Sequence, residues 1–540
     1  MIVKRNISIL LLIALIITSI SFLGCHGHRP LTPFEIPEEF DSSKTYEITF
    51  WAKNEDNAVQ RDVYAKAISD FEKLYPNIKV TLRNETDYET IYKDVLNNIL
   101  TNTTPNVCIT YPDHVATYME GENMVVSLDS LMSHPKYGLG GSALKFDSPT
   151  AQEIIPEFLN EGKIGGIQYA LPFMRSTEAC YVNKTLLESL GFELPEILTW
   201  DFVWEVSEYA MSLGKDTNGN FVANGKKVFF PLMYKSDDNM IISMMKQLGI
   251  PYSNDQGDIL FFNNDTKELL KEICEHAKNK YLSFHRIDGY PANKLNAGEC
   301  IFAIDSTAGS TWMGSKSPLN SSSSTYIDFD MKVMAIPQYN PNNPQMISQG
   351  PSLCIFNKED NGEVLASWIF AQFLLTNEVQ IAYSQTEGYI PVTSKAHNSE
   401  EYQRYLNHIE DNDHLYYFGK IEATKLLLNN LQNTFTTPVF NGSSDLRKTA
   451  GTVIFELVKA SQRKINVDDE YILDYFEKIK HLEKLDQFDG VEGFQKKELG
   501  NLPMESTVLL TILALAWSGL SLYFVLSRIK RKKHIDISAK

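Results

Sequence analysis

The sequence predicts an α/β fold with doubly wound sheets, followed by a transmembrane helix near the C-terminus. Two observations predict this. Strand-like and helix-like segments alternate at the start of the body, and uncharged hydrophobic segments lie near both ends of the chain. The composition agrees, because 43% hydrophobic and 22% charged residues over 540 positions are the proportions of a globular protein. Collagen-like, coiled-coil and wholly disordered structures are excluded.

The first uncharged segment is typical of a secretory signal. Two basic residues precede an apolar run over residues 7–24. The run ends in Leu-Gly, and Cys25 follows it. We therefore assign residues 1–25 to a signal peptide and expect the body to be exported. The Leu-Gly-Cys ending resembles a bacterial lipobox, in which Cys25 is acylated and becomes the mature N-terminus; an uncleaved anchor helix is the alternative. Residues 26–44 are polar, contain proline, and are predicted to tether the body to the membrane.

The body opens with alternating strand and helix patterns. Residues 46–51, 78–82 and 106–110 have the pattern of strands, whereas residues 58–74 and 88–100 carry apolar side chains at helical spacing. Strand–helix–strand–helix–strand is typical of a parallel, doubly wound sheet with right-handed crossovers. Helical spacing recurs over residues 364–375, 447–462 and 468–485.

The second uncharged segment, residues 506–527, predicts a membrane span. At about 1.5 Å per residue this segment reaches roughly 33 Å, enough to cross a bilayer core. Basic residues crowd its end from Arg528 to Lys533, and the positive-inside rule therefore places residues 528–540 in the cytoplasm. The body then faces outward, and residues 486–505 are its linker to the span.

The net charge and the cysteines argue against a nucleic-acid-binding protein, a disulfide-stabilised protein and a metalloprotein. The net charge of −18 argues against a nucleic-acid partner, since an acidic surface repels phosphates. Without Cys25 an odd number of cysteines remains, so a complete set of disulfides cannot form, and buried unpaired thiols are expected. No Cys-x-x-Cys occurs and the histidines are scattered, so we predict no metal site and no cofactor. The remaining cysteines are Cys108, Cys180, Cys274, Cys300 and Cys354.

Several segments follow one another in the order found in one family. They are Ile48-Thr-Phe-Trp51, the Tyr-Pro-Asn-Ile-Lys-Val run ending at residue 80, and residues 171–184, 298–309 and 387–392. Together they resemble the bacterial extracellular solute-binding proteins that serve ABC importers for sugars, over roughly residues 45–485. The resemblance implies a type II periplasmic-binding-protein fold, with two α/β lobes, a hinge and a ligand cleft between them. It assigns residues 45–175 and 350–392 to lobe 1, and 176–349 and 393–485 to lobe 2.

Within this family, three short matches resemble the glycerol-3-phosphate-binding type: Gly298-Glu-Cys300, Gly388-Tyr-Ile-Pro391 and Asp445-Leu-Arg447. The guanidinium of Arg447 would suit a phosphate, which it can bind through two parallel hydrogen bonds. Pro112 stands where that type carries Glu, with Asp113 beside it, so the identity of the ligand stays open. The resemblance implies a ligand shell of Tyr88, Ser176 or Thr177, Ser306 or Thr307, Gly350, Tyr389 and Arg447.

The residues themselves add further candidates for ligand contact. Tyr111 and Asp113 follow a predicted strand, where polar side chains face a cleft. Arg175 lies on the implied hinge crossing, and Trp312 could stack on a sugar. Each candidate has a structural alternative: a surface salt bridge for Arg447, packing for Tyr389, pairing with a cleft acid for Arg175, a turn cap for Ser306 and Thr307, and a core position for Trp312.

The predicted function is capture of a small solute without chemistry. We expect the substrate-binding component of an ABC importer, which closes around a sugar, polyol or glycerol-3-phosphate-like solute and delivers it to permease subunits. The protein would lie on the extracytoplasmic face of the bacterial cytoplasmic membrane, held by a lipid and by the C-terminal helix. No nucleophile elbow, phosphate-binding loop or zinc-protease motif occurs, so we do not expect an enzyme. A secreted glycoside hydrolase, and a membrane-anchored sensor or receptor ectodomain without transport, are the alternatives.

Metal chelation is expected to leave solute binding unchanged, because the sequence offers no spacing of metal ligands. The check is a binding titration with and without EDTA, and a loss of affinity in EDTA would contradict the prediction.

Overall fold

The computed structural model describes residues 31–53, 58–318, 326–408, 414–487 and 504–538. Of these, residues 31–487 belong to one compact unit and residues 504–538 to a second. The predicted signal peptide with Cys25, and the start of the predicted tether, lie outside the described residues.

The strands of the compact unit are β1 (Tyr46–Lys53), β2 (Ile78–Glu85), β3 (Val107–Thr110), β4 (Lys163–Ile164), β5 (Ile167–Gln168), β6 (Ala170–Pro172), β7 (Ser176–Asn183), β8 (Leu232–Tyr234), β9 (Leu282–Phe284), β10 (Phe302–Ser306), β11 (Met331–Ala335), β12 (Met346–Gln349), β13 (Ser352–Ile355) and β14 (Thr434–Phe435).

The helices are α1 (Ala58–Leu74), α2 (Tyr88–Ile99), α3 (Pro112–Tyr118), α4 (Asp129–Met132), α5 (Pro156–Asn160), α6 (Lys184–Ser189), α7 (Trp200–Ser212), α8 (Asp237–Leu248), α9 (Asn264–Lys278), α10 (His285–Asp288), α11 (Pro291–Asn296), α12 (Asn361–Phe373), α13 (Asn377–Ser384), α14 (Ser394–His397), α15 (Glu400–Asn407), α16 (Phe418–Leu428), α17 (Ser443–Gln462), α18 (Asp469–Leu482) and α19 (Met504–Ser538).

The first lobe is the part of the chain built around the sheet β2-β1-β3-β13-β6. Strands β1, β2 and β3 are parallel, and β13 runs antiparallel to β3 and β6. The predicted strand–helix–strand–helix–strand order at the start of the body is confirmed. Helix α2 illustrates the local cause, because the Asp87 side chain caps it by accepting a hydrogen bond from Thr90 N, and its Ile91 and Val95 are buried.

The second lobe is built around the sheet β14-β12-β7-β10-β8-β9, with β11 also paired to β7. Strands β8, β9 and β10 are parallel, whereas β7 is antiparallel to β10, β11 and β12. The sheet is therefore mixed, not purely parallel. The physical reason is that β7 enters this lobe from the hinge and runs away from it, while β8 and β10 run towards the cleft. All eight side chains of β7 are buried, as a central strand requires.

Two crossing strands form the hinge between the lobes. The chain passes from β6 to β7 at residues 173–175 and returns from β12 to β13 at residues 350–351. These crossings lie side by side, because β12 pairs with β7 at Gln349–Ser176 and β13 pairs with β6 at Ser352–Pro172. The residue boundaries predicted for the lobes remain predictions.

The late helices are confirmed with shifted ends. Helix α12 starts at residue 361 where the pattern predicted 364, α17 starts at 443 where it predicted 447, and α18 ends at 482 where it predicted 485. The cysteine prediction is confirmed as well. The structure gives Cys108, Cys180, Cys274, Cys300 and Cys354 as free thiols, and all are buried.

At the C-terminus, residues 504–538 form the single helix α19. Among the described residues, no single helix combines the length and the hydropathy of a membrane span. The stretch Leu510–Gly519 is apolar but shorter, and α12 and α13 reach that length and hydropathy only as a pair of helices bent by 59°. The span predicted over residues 506–527 is not confirmed and stays a prediction.

Any side chain at position 350 is expected to destabilise the hinge. A Cβ atom there would lie 2.0 Å from the carbonyl oxygen of Met174 and 2.9 Å from the Cα of Arg175, both backbone atoms of the opposite crossing. Gly350→Ala should therefore lower the free energy of unfolding by at least about 2 kcal/mol, measured in urea, since the crossings must separate.

Gly309→Ala is the matched control, because a Cβ there would meet Asp305 at the ordinary contact distance of 3.5 Å. Equal stability of the two variants would contradict the close approach of the crossings.

Candidate functional site

The candidate site is a cleft of about 910 Å³ bordered by residues of both lobes. Its walls come from the carboxyl ends of strands, as in other open α/β sheets. Tyr111, Asp113 and His114 follow β3 in the first lobe, and in the second lobe Ser236 follows β8 and Ser306 ends β10.

The structure brings most of the predicted residues together along this cleft. Whether they touch a ligand stays a prediction. The predicted residues that border the cleft are Tyr88, Tyr111, Asp113, Ser176, Ser306, Trp312, Gly350, Tyr389 and Arg447.

Three predicted residues, Arg175, Thr177 and Thr307, lie buried outside the cleft lining. The Thr177 hydroxyl donates to the carbonyl oxygen of Ile347 at 2.7 Å, and the Thr177 amide donates to the hydroxyl of Thr307 at 3.2 Å. Of the two alternatives left open in each pair, the structure therefore puts Ser176 and Ser306 at the cleft. Arg175 pairs with the acid Glu161, the structural alternative considered for it, and direct ligand contact is not expected of these three residues.

Arg447 lies in the second turn of α17, so the prediction that it begins the helix is wrong. The helix starts at Ser443 because the left-handed backbone of Gly442 ends the preceding loop. The Nε of Arg447 donates to the Asp238 carboxylate at 2.8 Å, and its guanidinium also donates to the side-chain oxygen of Asn239. Burial alone would lower the pKa of Arg447, but Asp238 and Asp113 outweigh it and raise that pKa. This cation is held permanently charged and is already matched by an anion.

Asp113 connects the two lobes across the cleft. It lies in α3 of the first lobe, and its carboxylate accepts a 2.7 Å hydrogen bond from the hydroxyl of Ser443 in the first turn of α17. Burial raises the pKa of Asp113, and Arg447 and Ser443 offset part of that shift. The neighbouring His114 is neutral, because burial lowers its pKa to about 3.

Aromatic rings border the cleft beside these charges. The rings of Tyr88 and Tyr111 lie 4.7 Å apart, and the ammonium of Lys53 sits 5.1 Å above the Tyr88 ring. Trp312 is 52% exposed, so the alternative of a core position is wrong for it. Aromatic faces next to polar groups suit a solute with both C–H and hydroxyl surfaces.

A buried polar network in the second lobe reaches the cleft at Gln349. Asn239 and Gln349 exchange hydrogen bonds of 2.8 and 3.0 Å, and Asn239 also donates to Glu178 at 3.1 Å. The hydroxyl of Tyr234 donates to Glu178 at 2.5 Å. Burial raises the pKa of Glu178 to about 8 despite these donors. The network links Arg447 to Gln349 at the hinge.

Five acids that border the cleft were not among the predicted site residues: Glu89, Glu161, Asp238, Asp305 and Glu387. Asp238 lies in the first turn of the helix that follows β8, and Asp305 is the residue before the last of β10. The rule that polar residues at the carboxyl end of a strand face the cleft, which predicted Tyr111, could have found both. Asp305 pairs with Lys235 at 3.0 Å, and Glu387 accepts a 2.9 Å hydrogen bond from Thr311. Glu387 belongs to a segment used for the family resemblance, whereas no local signal marks Glu161.

Within the part of the chain that the structure describes, no group of three or more His, Cys, Asp or Glu side chains could hold a metal ion.

Comparison with protein families adds an independent finding. The sequence profile of the bacterial extracellular solute-binding proteins matches residues 66–408. No curated protein sequence matches the chain.

Solved structures share the fold of this chain. UgpB from Mycobacterium tuberculosis, in complex with glycerophosphocholine, superposes with a TM-score of 0.62 at 16% identity, covering 82% of this chain and 99% of its own. The GacH receptor of Streptomyces glaucescens, solved unliganded and with acarbose, gives 0.59 at 15% identity, with the same two coverages. Maltose-bound MalE3 of T. maritima gives 0.58 at 14% identity, covering 81% and 99%. The predicted periplasmic-binding-protein-like α/β fold is thereby confirmed.

Replacing Arg447 by methionine should destabilise the protein most at neutral pH. The substitution leaves Asp238 and Asp113 without their cation, which should cost about 3 kcal/mol of unfolding free energy at pH 7. The folded-state pKa of Asp113 then rises further above its unfolded value. Such an acid destabilises the fold above its pKa and recovers stability as the pH falls, so the loss should shrink towards pH 5.

Urea unfolding at pH 7 and pH 5 measures this difference. The exposed Arg463→Met, at the other end of the same helix, is the control and should change neither value. An equal loss of unfolding free energy at both pH values would contradict the assignment of that loss to unpaired carboxylates.

Proposed function

The chain belongs to the bacterial extracellular solute-binding proteins, and on that premise we propose that it is the substrate-binding component of an ABC importer for a neutral sugar or polyol. The solute enters the open cleft, contacts both lobes and stabilises the closed arrangement. Capture needs no bond-making chemistry, and the permease would recognise the closed form.

The pairing of Arg447 and Lys235, two of the four Lys and Arg side chains in the cleft lining, carries the choice of a neutral solute. Arg447 is bound to Asp238, and Lys235 is bound to Asp305. A phosphate would have to displace or lie beside these carboxylates, which costs electrostatic energy in a site of low dielectric. Carboxylates also outnumber Lys and Arg side chains along the lining. Hydroxyl groups suit such a site, since each can donate to a carboxylate and accept from Arg, Ser or Tyr.

The structural neighbours support a carbohydrate. Two of them were solved with acarbose and with maltose, and a third with glycerophosphocholine. The glycerol-3-phosphate-like ligand suggested by the short sequence matches is the less favoured member of the class, because Arg447 is already paired.

The proposal includes the location. The body works outside the cytoplasmic membrane, held there by acylated Cys25 and by a span over residues 506–527. This double anchoring keeps the cleft close to its permease.

A screen of matched pairs on the full chain tests the ligand class: glucose against glucose-6-phosphate, and glycerol against glycerol-3-phosphate, with maltose as a larger sugar. A solute that binds the native state raises the unfolding free energy by about 2.7 kcal/mol at 100 times its Kd. We expect a neutral member to raise the melting temperature and its phosphorylated partner to bind at least about tenfold more weakly. Tighter binding of a phosphorylated member, lost in Arg447→Ala, would reverse the assignment.

A further inference from the structure

We propose that Glu161 is a ligand-binding residue that accepts a hydrogen bond from a hydroxyl group of the solute, and that Arg175 acts on the solute only by positioning Glu161. This inference rests on the proposed function, because it names a contact made by the same neutral solute in the same cleft.

The first observation is the complete burial of Arg175. Its side chain is 0% exposed. One terminal nitrogen donates to the carbonyl oxygens of Met174 at 2.9 Å and Pro351 at 3.0 Å, and the other donates to the carbonyl oxygen of Phe158 at 3.3 Å and the hydroxyl of Ser352 at 3.2 Å. These acceptors are neutral, so they satisfy the two terminal nitrogens without balancing the charge. The guanidinium is committed to the hinge and is not offered to a solute.

Glu161 supplies the balancing charge from the cleft wall. Its Oε2 lies 2.7 Å from the guanidinium of Arg175 and is itself buried. The Glu161 side chain is nevertheless 12% exposed and borders the cleft. The ion pair therefore commits one carboxylate oxygen and leaves the other for a donor that arrives through the cleft.

The surroundings of Glu161 favour a neutral donor. Burial raises the pKa of Glu161, Asp113 adds to that shift, and Arg175 and Arg447 oppose it. A hydrogen bond from a solute hydroxyl would stabilise the ionised carboxylate and bring no charge of its own. The aromatic rings of Tyr88 and Tyr111 border the same cleft and can cover the C–H surface of the solute.

The ion pair also connects the solute to the hinge. Arg175 holds carbonyl groups of both crossings, and its backbone pairs with Ile390, which adjoins the cleft residue Tyr389. A solute bound at Glu161 would therefore contact the hinge through a single ion pair, the one between Glu161 and Arg175. The strands of the hinge must bend when the lobes close.

The test uses the full chain and three probes: maltose, glucose and glycerol. Glu161→Gln keeps the shape and removes the charge, and should weaken the best-bound probe about 10- to 100-fold, as expected for a lost bond to a charged acceptor. Glu157→Gln is the matched control, because Glu157 lies in the adjacent helix α5 and is exposed. It should leave the affinity unchanged.

Glu161→Gln also leaves Arg175 unpaired, so weaker binding could come from a lost solute contact or from a disturbed hinge. A second variant distinguishes these two effects. The double variant Glu161→Gln with Arg175→Met removes both charges. Its melting temperature should lie between those of Glu161→Gln and the wild type, because no charge is left unpaired but the hydrogen bonds of Arg175 to the hinge are lost. It should keep the weak binding, whereas recovery of the wild-type affinity would show that Glu161 has only a structural role.

Deoxy analogues of the best-bound sugar complete the test. One analogue should bind the wild type as weakly as the parent sugar binds Glu161→Gln, and should lose nothing further in that variant. Wild-type affinity in Glu161→Gln overturns this inference alone. A wild type that binds none of the three probes overturns the proposed function and this inference with it.

Discussion

The two crossings pack side by side at the hinge, and this packing fixes the arrangement of both lobes. The crossings approach so closely that Gly350 has no room for a Cβ atom beside the carbonyl group of Met174. Their backbones are tied further by the buried guanidinium of Arg175. Since both lobes are built outward from these strands, the crossings fix which strand ends face each other. They therefore place Tyr111 and Asp113 opposite Ser306 and Arg447.

The electrostatics of the cleft follow from that arrangement. Acids and bases from elements far apart in sequence meet there and neutralise one another, as Arg447 does with Asp238 at a separation of 209 residues. Buried ion pairs of this kind add little net stability, but removing one partner is costly. Their contribution here is orientation: they hold polar groups at fixed positions without presenting an unmatched charge. A cleft of this kind discriminates by hydrogen-bond geometry more than by attraction of an ion.

Much of the fold could be predicted from the sequence because it follows from local patterns. Only part of the site could be predicted, because the rest depends on contacts between distant residues. Periodicity depends on neighbouring residues, so the opening strands and helices were found directly. Tyr111 and Asp113 could be placed because a polar residue after a parallel strand faces the cleft wherever the strand lies. The choice between Ser176 and Thr177 could not be made, since it depends on which face of β7 looks into the cleft. Glu161 was missed because its place in the cleft wall is fixed by the ion pair with Arg175. That pair forms only when the chain has folded around the hinge.

In the proposed function, the two lobes close around a hydroxylated solute. The most direct test is the distance between spin labels on the exposed Lys93→Cys in α2 of the first lobe and Lys278→Cys in α9 of the second, measured by pulsed electron paramagnetic resonance in a chain that also carries Cys25→Ser. The buried thiols from Cys108 onward leave the two introduced cysteines as the reactive sites among the described residues. A bound sugar or polyol should shift and narrow the distribution of distances between the two labels. A sugar that binds and leaves the distribution unchanged would contradict this expectation.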